Sequence, residues 1–195
     1  MNQITKGRKV PVPLRYINVG LGWQQDAAAT VEHDLDLAAF MIDASEKLPE
    51  PGFELFYGNL ESPDKAVVFS GDNTTGGEGD SERLVIDVGS MDKRVRDIVI
   101  VASIFDAAEL GLNFGNVKGA YVRVYDPKTD FELYRYELGS EAAKETCVVF
   151  GRLRRQWHEW AFEALGEGIA GGMDELKARY SVPRPPGSML PPPAR

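Results

Sequence analysis

The apolar residues of this chain recur at every second position, in short runs closed by turn residues, and that period sets the class of fold open to it. Leu84, Ile86 and Val88 alternate with Arg83, Val85 and Asp87, and Val122 and Val124 alternate with Tyr121, Arg123 and Tyr125. Trp160, Phe162 and Ala164 fall on one face of a strand, with Glu159, Ala161 and Glu163 on the other. Ile98 to Phe105 is apolar on both faces, the pattern of a strand covered on both sides within a sheet. Between the runs stand Leu48-Pro49-Glu50-Pro51-Gly52, Ser62-Pro63-Asp64 and Asp126-Pro127-Lys128-Thr129-Asp130. In these turns proline presets φ, while Asp and Gly tolerate the tight backbone that follows. Many short strands with such turns predict a mostly β protein, an antiparallel β-sandwich.

One helix breaks the pattern. Met173, Leu176 and Tyr180 are spaced i, i+3 and i+7, with Asp174 and Glu175 in the first turn and Lys177 and Arg179 near the last. Charges so placed complement the helix dipole and predict a short C-terminal helix. From Pro183 the chain reads Arg-Pro-Pro-Gly-Ser-Met-Leu-Pro-Pro-Pro-Ala-Arg, a composition that extends rather than packs. The expected organisation is one domain over residues 1–182 and a Pro-rich disordered tail over 183–195. No apolar run reaches the eighteen or so residues of a membrane helix, so no membrane span is expected. The first nine residues carry basic groups with no apolar run behind them, which argues against a secretory signal. The lone cysteine, Cys147, sits in an apolar run, as a buried thiol in a reducing compartment would. The cytoplasm is the expected location.

Charge narrows the function. The chain carries a formal net charge of −8, and Asp26 to Glu82 holds 14 acidic residues against two basic ones, Lys47 and Lys65. Such a segment repels nucleic acid and phosphate and is relieved by a metal cation. Within it, the twelve residues Gly71-Asp72-Asn73-Thr74-Thr75-Gly76-Gly77-Glu78-Gly79-Asp80-Ser81-Glu82 supply four carboxylates, an amide oxygen and three hydroxyls with no basic side chain. Calcium takes six to eight hard oxygen ligands at flexible angles, and the glycines let backbone carbonyls turn inward as well. The acidic spacing is not that of an EF-hand, and no P-loop lysine is present. A solvated turn is the simpler reading of the same loop. A second feature adds to the first: strand periodicity puts Asp34, Asp36, Ala38, Phe40 and Ile42 on one face. Two carboxylates about 4 Å apart repel by roughly 4 kcal/mol at an effective dielectric near 20. Beside core residues, such a pair calls for a cation, unless both lie beyond the strand in water.

The order of seven motifs is similar to that of the TerD family. They are Gly20-Leu21-Gly22-Trp23, Asp34-Leu35-Asp36, Asn59-Leu60-Glu61-Ser62-Pro63, Gly71-Asp72-Asn73-Thr74-Thr75-Gly76, Asn113-Phe114-Gly115-Asn116-Val117, Val149-Phe150-Gly151 and Gly168-Ile169-Ala170-Gly171-Gly172. The resemblance implies a β-sandwich that binds calcium at acidic loops, in stress and tellurite-resistance systems that work through protein partners. Its acidic pair falls on Asp34 and Asp36, and its calcium loop on Asp72, Asn73, Glu78, Asp80 and Glu82. Two departures stand out: Gln24 and Gln25 follow Trp23 where the family commonly has Asp, and Ser81 takes a position that is often acidic.

Other chemistry is poorly supplied. His33 and His158 are the only histidines; neither has a second His or Cys at metal spacing, and no serine-nucleophile motif occurs. Arg152, Arg154 and Arg155 followed by Trp157, His158 and Trp160 superficially resemble a basic-aromatic nucleic-acid surface, but on strands they alternate between faces, a hairpin with one solvated side explains them better, and no nucleic-acid partner is expected. The expected function is a calcium-binding stress protein that is not an enzyme. The alternatives are a calcium-stabilised sandwich binding a small ligand such as a carbohydrate on Trp23, Trp157 or Trp160, and a metal-assisted hydrolase.

Overall fold

Period-two alternation becomes twelve strands in a computed structural model that describes residues 2–24, 33–70, 79–157 and 159–182. In chain order they are β1 (Gln3–Ile4), β2 (Lys9–Val12), β3 (Tyr16–Gln24), β4 (Leu35–Ile42), β5 (Glu54–Leu55), β6 (Val67–Phe69), β7 (Glu82–Asp87), β8 (Asp97–Ile104), β9 (Lys118–Tyr125), β10 (Glu132–Glu137), β11 (Cys147–Gln156) and β12 (Glu159–Gly168). Two helices accompany them, α1 (Ala107–Leu110) after β8 and α2 (Gly172–Tyr180) after β12. One six-stranded sheet runs β1-β10-β9-β3-β7-β6 and the other β2-β12-β11-β8-β4-β5. Every pairing is antiparallel except that of β1, which lies parallel to β10.

The inner faces carry the alternating apolar sets. Ile17, Val19, Leu21 and Trp23 of β3, Leu84 and Ile86 of β7, and Val122 and Val124 of β9 meet Leu35, Leu37, Ala39 and Met41 of β4 and Trp160, Phe162 and Ala164 of β12. β8, expected from its unbroken apolar run to be a central strand, lies between β11 and β4. Its second face is covered because the outer side of that sheet is not all solvent. Helix α2 lies there, with the Tyr180 ring 5.3 Å from that of Phe40 and the Leu48 amide donating to the Tyr180 carbonyl. Burying Leu176 alone stabilises that docking by about 1.5–3 kcal/mol. The expected helix is thus present, and Leu176 and Tyr180 form its buried stripe. Cys147 is fully buried at the start of β11, and loss of solvent pushes its thiol up to about 12.

Among the described residues no helix is long and apolar enough to cross a membrane. The tail expected over 183–195 lies outside the described residues.

Candidate metal centre

One end of the sandwich collects the acidic segments. There β3 finishes and β4 begins, and β6 finishes and β7 begins. Trp23, the last residue of the Gly-Leu-Gly-Trp motif, is buried on the inner face, and its indole N–H donates to the His33 carbonyl at 3.0 Å. That bond ties the end of β3 to the residues entering β4. His33 is itself buried, and its Nε2 has no hydrogen-bond partner among the described residues.

The two acidic segments meet at β4. Glu82 opens β7 on the inner face, where alternation would place an apolar side chain, and is buried. Its carboxylate crosses to the other sheet and accepts the Leu37 backbone N–H. The need for that acceptor is set by topology. β5 pairs with β4 only at Ala39 and Phe40, so the Leu37 amide, which points the same way as that of Met41, lies beyond the reach of a strand partner. An unsatisfied amide in that position would cost about 1–3 kcal/mol. The bonded amide is the one that follows Asp36, so Glu82 and Asp36 flank a single peptide unit. Asp36 shares its face with buried Ala38 and Phe40, as the period requires, but this is the outer face beneath α2, where Asp36 borders a small groove with Met173 and Lys177. Asp34 precedes the strand; its carbonyl accepts the Phe105 N–H at 2.9 Å, which brings Asp106, held at φ 46°, to the same end of the sandwich.

Asp80 takes a different position, on the outer face of the β9-β3-β7 sheet. Its carboxylate receives two bonds from Arg123 Nε at 2.8 and 2.9 Å and a longer one from the Tyr121 hydroxyl at 3.4 Å. Arg123 lies 3.9 Å over the Tyr125 ring and also reaches Asp130, while Arg135 lies 3.9 Å over Tyr121. Burial works against the Arg123 charge, but the hydrogen bonds and charge of Asp80 hold its pKa above the ordinary arginine value. This packing explains the glycines of the Gly-Leu-Gly-Trp motif. A Cβ on Gly20 would stand 2.2 Å from the Asp80 carboxylate, and one on Gly22 would stand 2.4 Å from the Tyr121 ring. Sequence reasoning missed Arg123 because its link to Asp80 depends on the pairing of Gly20 with Arg123 across β3 and β9.

Of the seven residues expected to bind metal, Asp34, Asp36 and Glu82 gather around the start of β4, and Asp80 is paired with Arg123. Asp72, Asn73 and Glu78 lie outside the described residues. Among the described residues no three acidic, histidine or cysteine side chains form a metal-holding group. The donors that are placed are carboxylates, the oxygen chemistry that suits calcium. Of the three tryptophans offered as a sugar platform, Trp23 and Trp160 are buried, which leaves Trp157.

The model of the TerD domain matches residues 1–180. The chain belongs to the TerD family. It is 37% identical over 175 residues to tellurium resistance protein TerD of Serratia marcescens, covering 89% of this chain and 91% of that protein. It is 36% identical over 186 residues to general stress protein 16U of Bacillus subtilis, covering 92% and 96%. A solved homologue of telluride resistance protein (TerD) from Streptomyces coelicolor superposes with a TM-score of 0.67 at 20% identity, over 87% of this TerD-family chain and 99% of the other, and so shares the fold. The family is thus one of tellurium-resistance and general stress proteins, and the resemblance read from the seven motifs holds over the whole sandwich.

Proposed function

We propose that this TerD-family protein binds Ca2+ at the acidic end of its sandwich and acts, in the cytoplasm, as a calcium-dependent binding or scaffolding protein of a stress-response system. The oxygen donors are Asp34, Asp36, Asp72, Asn73, Glu78, Asp80 and Glu82. The observation that carries this reading is the bond from Leu37 N–H to Glu82, which docks the last residue of the Gly-rich loop on the peptide that follows Asp36. Glu82 and Asp36 reach the start of β4 from its two faces, with Asp34 two residues away, and a cation there would offset the repulsion between the acidic segments. Asp80 reaches such an ion by leaving Arg123, so its role depends on that exchange. Action through protein partners, without catalysis, fits a chain whose single thiol is buried and held protonated far above neutral pH.

The test is a pair of charge-removing variants, Asp36→Asn and Asp80→Asn, titrated with calcium and melted with and without chelator. Asp36→Asn should weaken calcium binding and destabilise the calcium-loaded protein. In chelator the cost should be smaller or reversed, because the same change relieves repulsion between the acidic segments once calcium is gone. Destabilisation of equal size under both conditions would mark a packing defect and count against a site at Asp36.

A further inference from the structure

The opposite end of the sandwich carries a feature that neither the calcium reading nor the core accounts for. β11 and β12 are joined by a tight turn that Trp157 opens, between the paired residues Gln156 and Glu159. Turns of this length favour Asn, Asp or Gly, because the backbone must enter the left-handed region. Here Trp157 does so, at φ 45°, and its side chain is 96% exposed. A bulky aromatic in that conformation is strained and gains nothing from burial, the pattern expected of a residue kept for contact with something else.

The residues beside it are cationic. The nearby arginines are paired: Arg154 with Asp97 at 2.8 Å, Arg152 with Asp97 and Glu163, and Arg94 with Asp92 and Glu50. Arg96 and Arg155 have no ion pair among the described residues, although the Arg155 amide donates to the Arg96 carbonyl at 2.8 Å and so holds the two side by side. Arg155 donates from one amino group to the Asp92 carbonyl at 3.1 Å and lies 5.2 Å over the Trp160 ring, while its buried Nε has no acceptor among the described residues. Burial, followed by the charge of Arg96, lowers the Arg155 pKa, and the nearby charge of Asp92 offsets this only in part. Arg96, Arg155, Gln156 and Trp157 line an open cleft of about 690 Å3.

We infer that this cleft binds a small phosphate ester carrying a planar ring, a mononucleotide in class. The arginines supply charge-assisted donors to the phosphate, and Trp157 supplies a face on which the ring stacks. A macromolecular polyanion is disfavoured, because Glu46, Glu50 and Glu159 lie around the same end and the chain is acidic as a whole.

Adenosine monophosphate is the probe, with inorganic phosphate and adenosine as the two half-ligands and a single-stranded oligonucleotide as the macromolecular comparison, followed by calorimetry and tryptophan fluorescence. The monophosphate should bind at least about tenfold more tightly than either half, and more weakly as salt rises. Arg96→Gln, at an exposed position, should reduce that binding about tenfold or more with the fold intact. Trp157→Gly should abolish the preference for the ring while raising the melting temperature, since glycine accepts the positive φ. Loss of binding accompanied by a gain in stability separates a ligand contact from a folding defect. Absence of monophosphate binding, equal binding of inorganic phosphate, insensitivity to both substitutions, or tighter binding of the oligonucleotide would each overturn the inference.

Discussion

Substituting Gly20 by alanine isolates the contact that anchors the Gly-rich loop to the sheet. Gly20 has ordinary extended backbone, so alanine there should, by backbone entropy alone, stabilise the strand by about 0.5–1 kcal/mol. The new carbon would instead stand 2.2 Å from the Asp80 carboxylate, too close for both to remain. Asp80 must move, and with it go the two charge-assisted bonds to Arg123, whose side chain is 16% exposed against 9% for Asp80. Breaking a fully buried pair by removing one partner costs about 3–5 kcal/mol. Arg123 keeps Asp130 and the Tyr125 ring, so about 2–3 kcal/mol is expected here, or roughly 5–10 °C in Tm for a chain of this size. The decisive assay is a double-mutant cycle by urea denaturation. Asp80→Ala alone should cost about as much as Gly20→Ala, and the double variant little more than either, because the clash vanishes with the carboxylate. Gly20→Ala that is neutral, or that costs the same with and without Asp80, would refute the close approach of loop and sheet.

Other outcomes follow from the same structure. The Arg15 hydrogen bonds to Asp87 lower its carboxyl to about 2 against burial, with help from Ser90. A depressed carboxylate contributes stability that is present above its unfolded pKa near 4 and is lost as pH falls through about 2. The stability deficit of Asp87→Asn, measured by denaturant unfolding, should therefore shrink between about pH 4 and pH 2. Cys147, buried and with its pKa pushed up to about 12, should resist thiol reagents in the native protein and react at once in denaturant; rapid native labelling would contradict its placement. Glu82→Leu removes the acceptor for the Leu37 amide and should destabilise by about 1–3 kcal/mol in chelator as well as in calcium, in contrast to Asp36→Asn.

The sandwich was legible because its strands are amphipathic or fully buried: β7, β9 and β12 alternate, and β8 does not. The C-terminal helix was legible from its terminal charges and period. β1 was not, since two residues carry no period and its parallel pairing with β10 rests on contacts 132 residues apart. At the acidic end, Asp36 could be placed by alternation, yet the same alternation could not say that its face lies beneath α2 or that Asp34 stands just before the strand. Glu82 could be listed as an oxygen donor and has the parity of Leu84 and Ile86, but its inward direction requires β7 to reach back to residue 82, which the Gly-rich composition before it does not announce. Asp80 was read as one more loop carboxylate. Its pairing with Arg123 needs the register of β3 against β9, which local sequence does not encode.

Calcium titration of the chelated protein by calorimetry, paired with its melting curve, tests the central claim most directly. If the acidic end binds calcium in the native state alone, a free concentration one hundred times the Kd adds about 2.7 kcal/mol per site, a rise of roughly 5–10 °C for a chain of this size. Magnesium should do less, because it demands a compact octahedral shell and sheds water reluctantly. The titration should show saturable heat that Asp36→Asn weakens. Absence of saturable heat, with superimposable melting curves in excess calcium and in chelator, would contradict the claim.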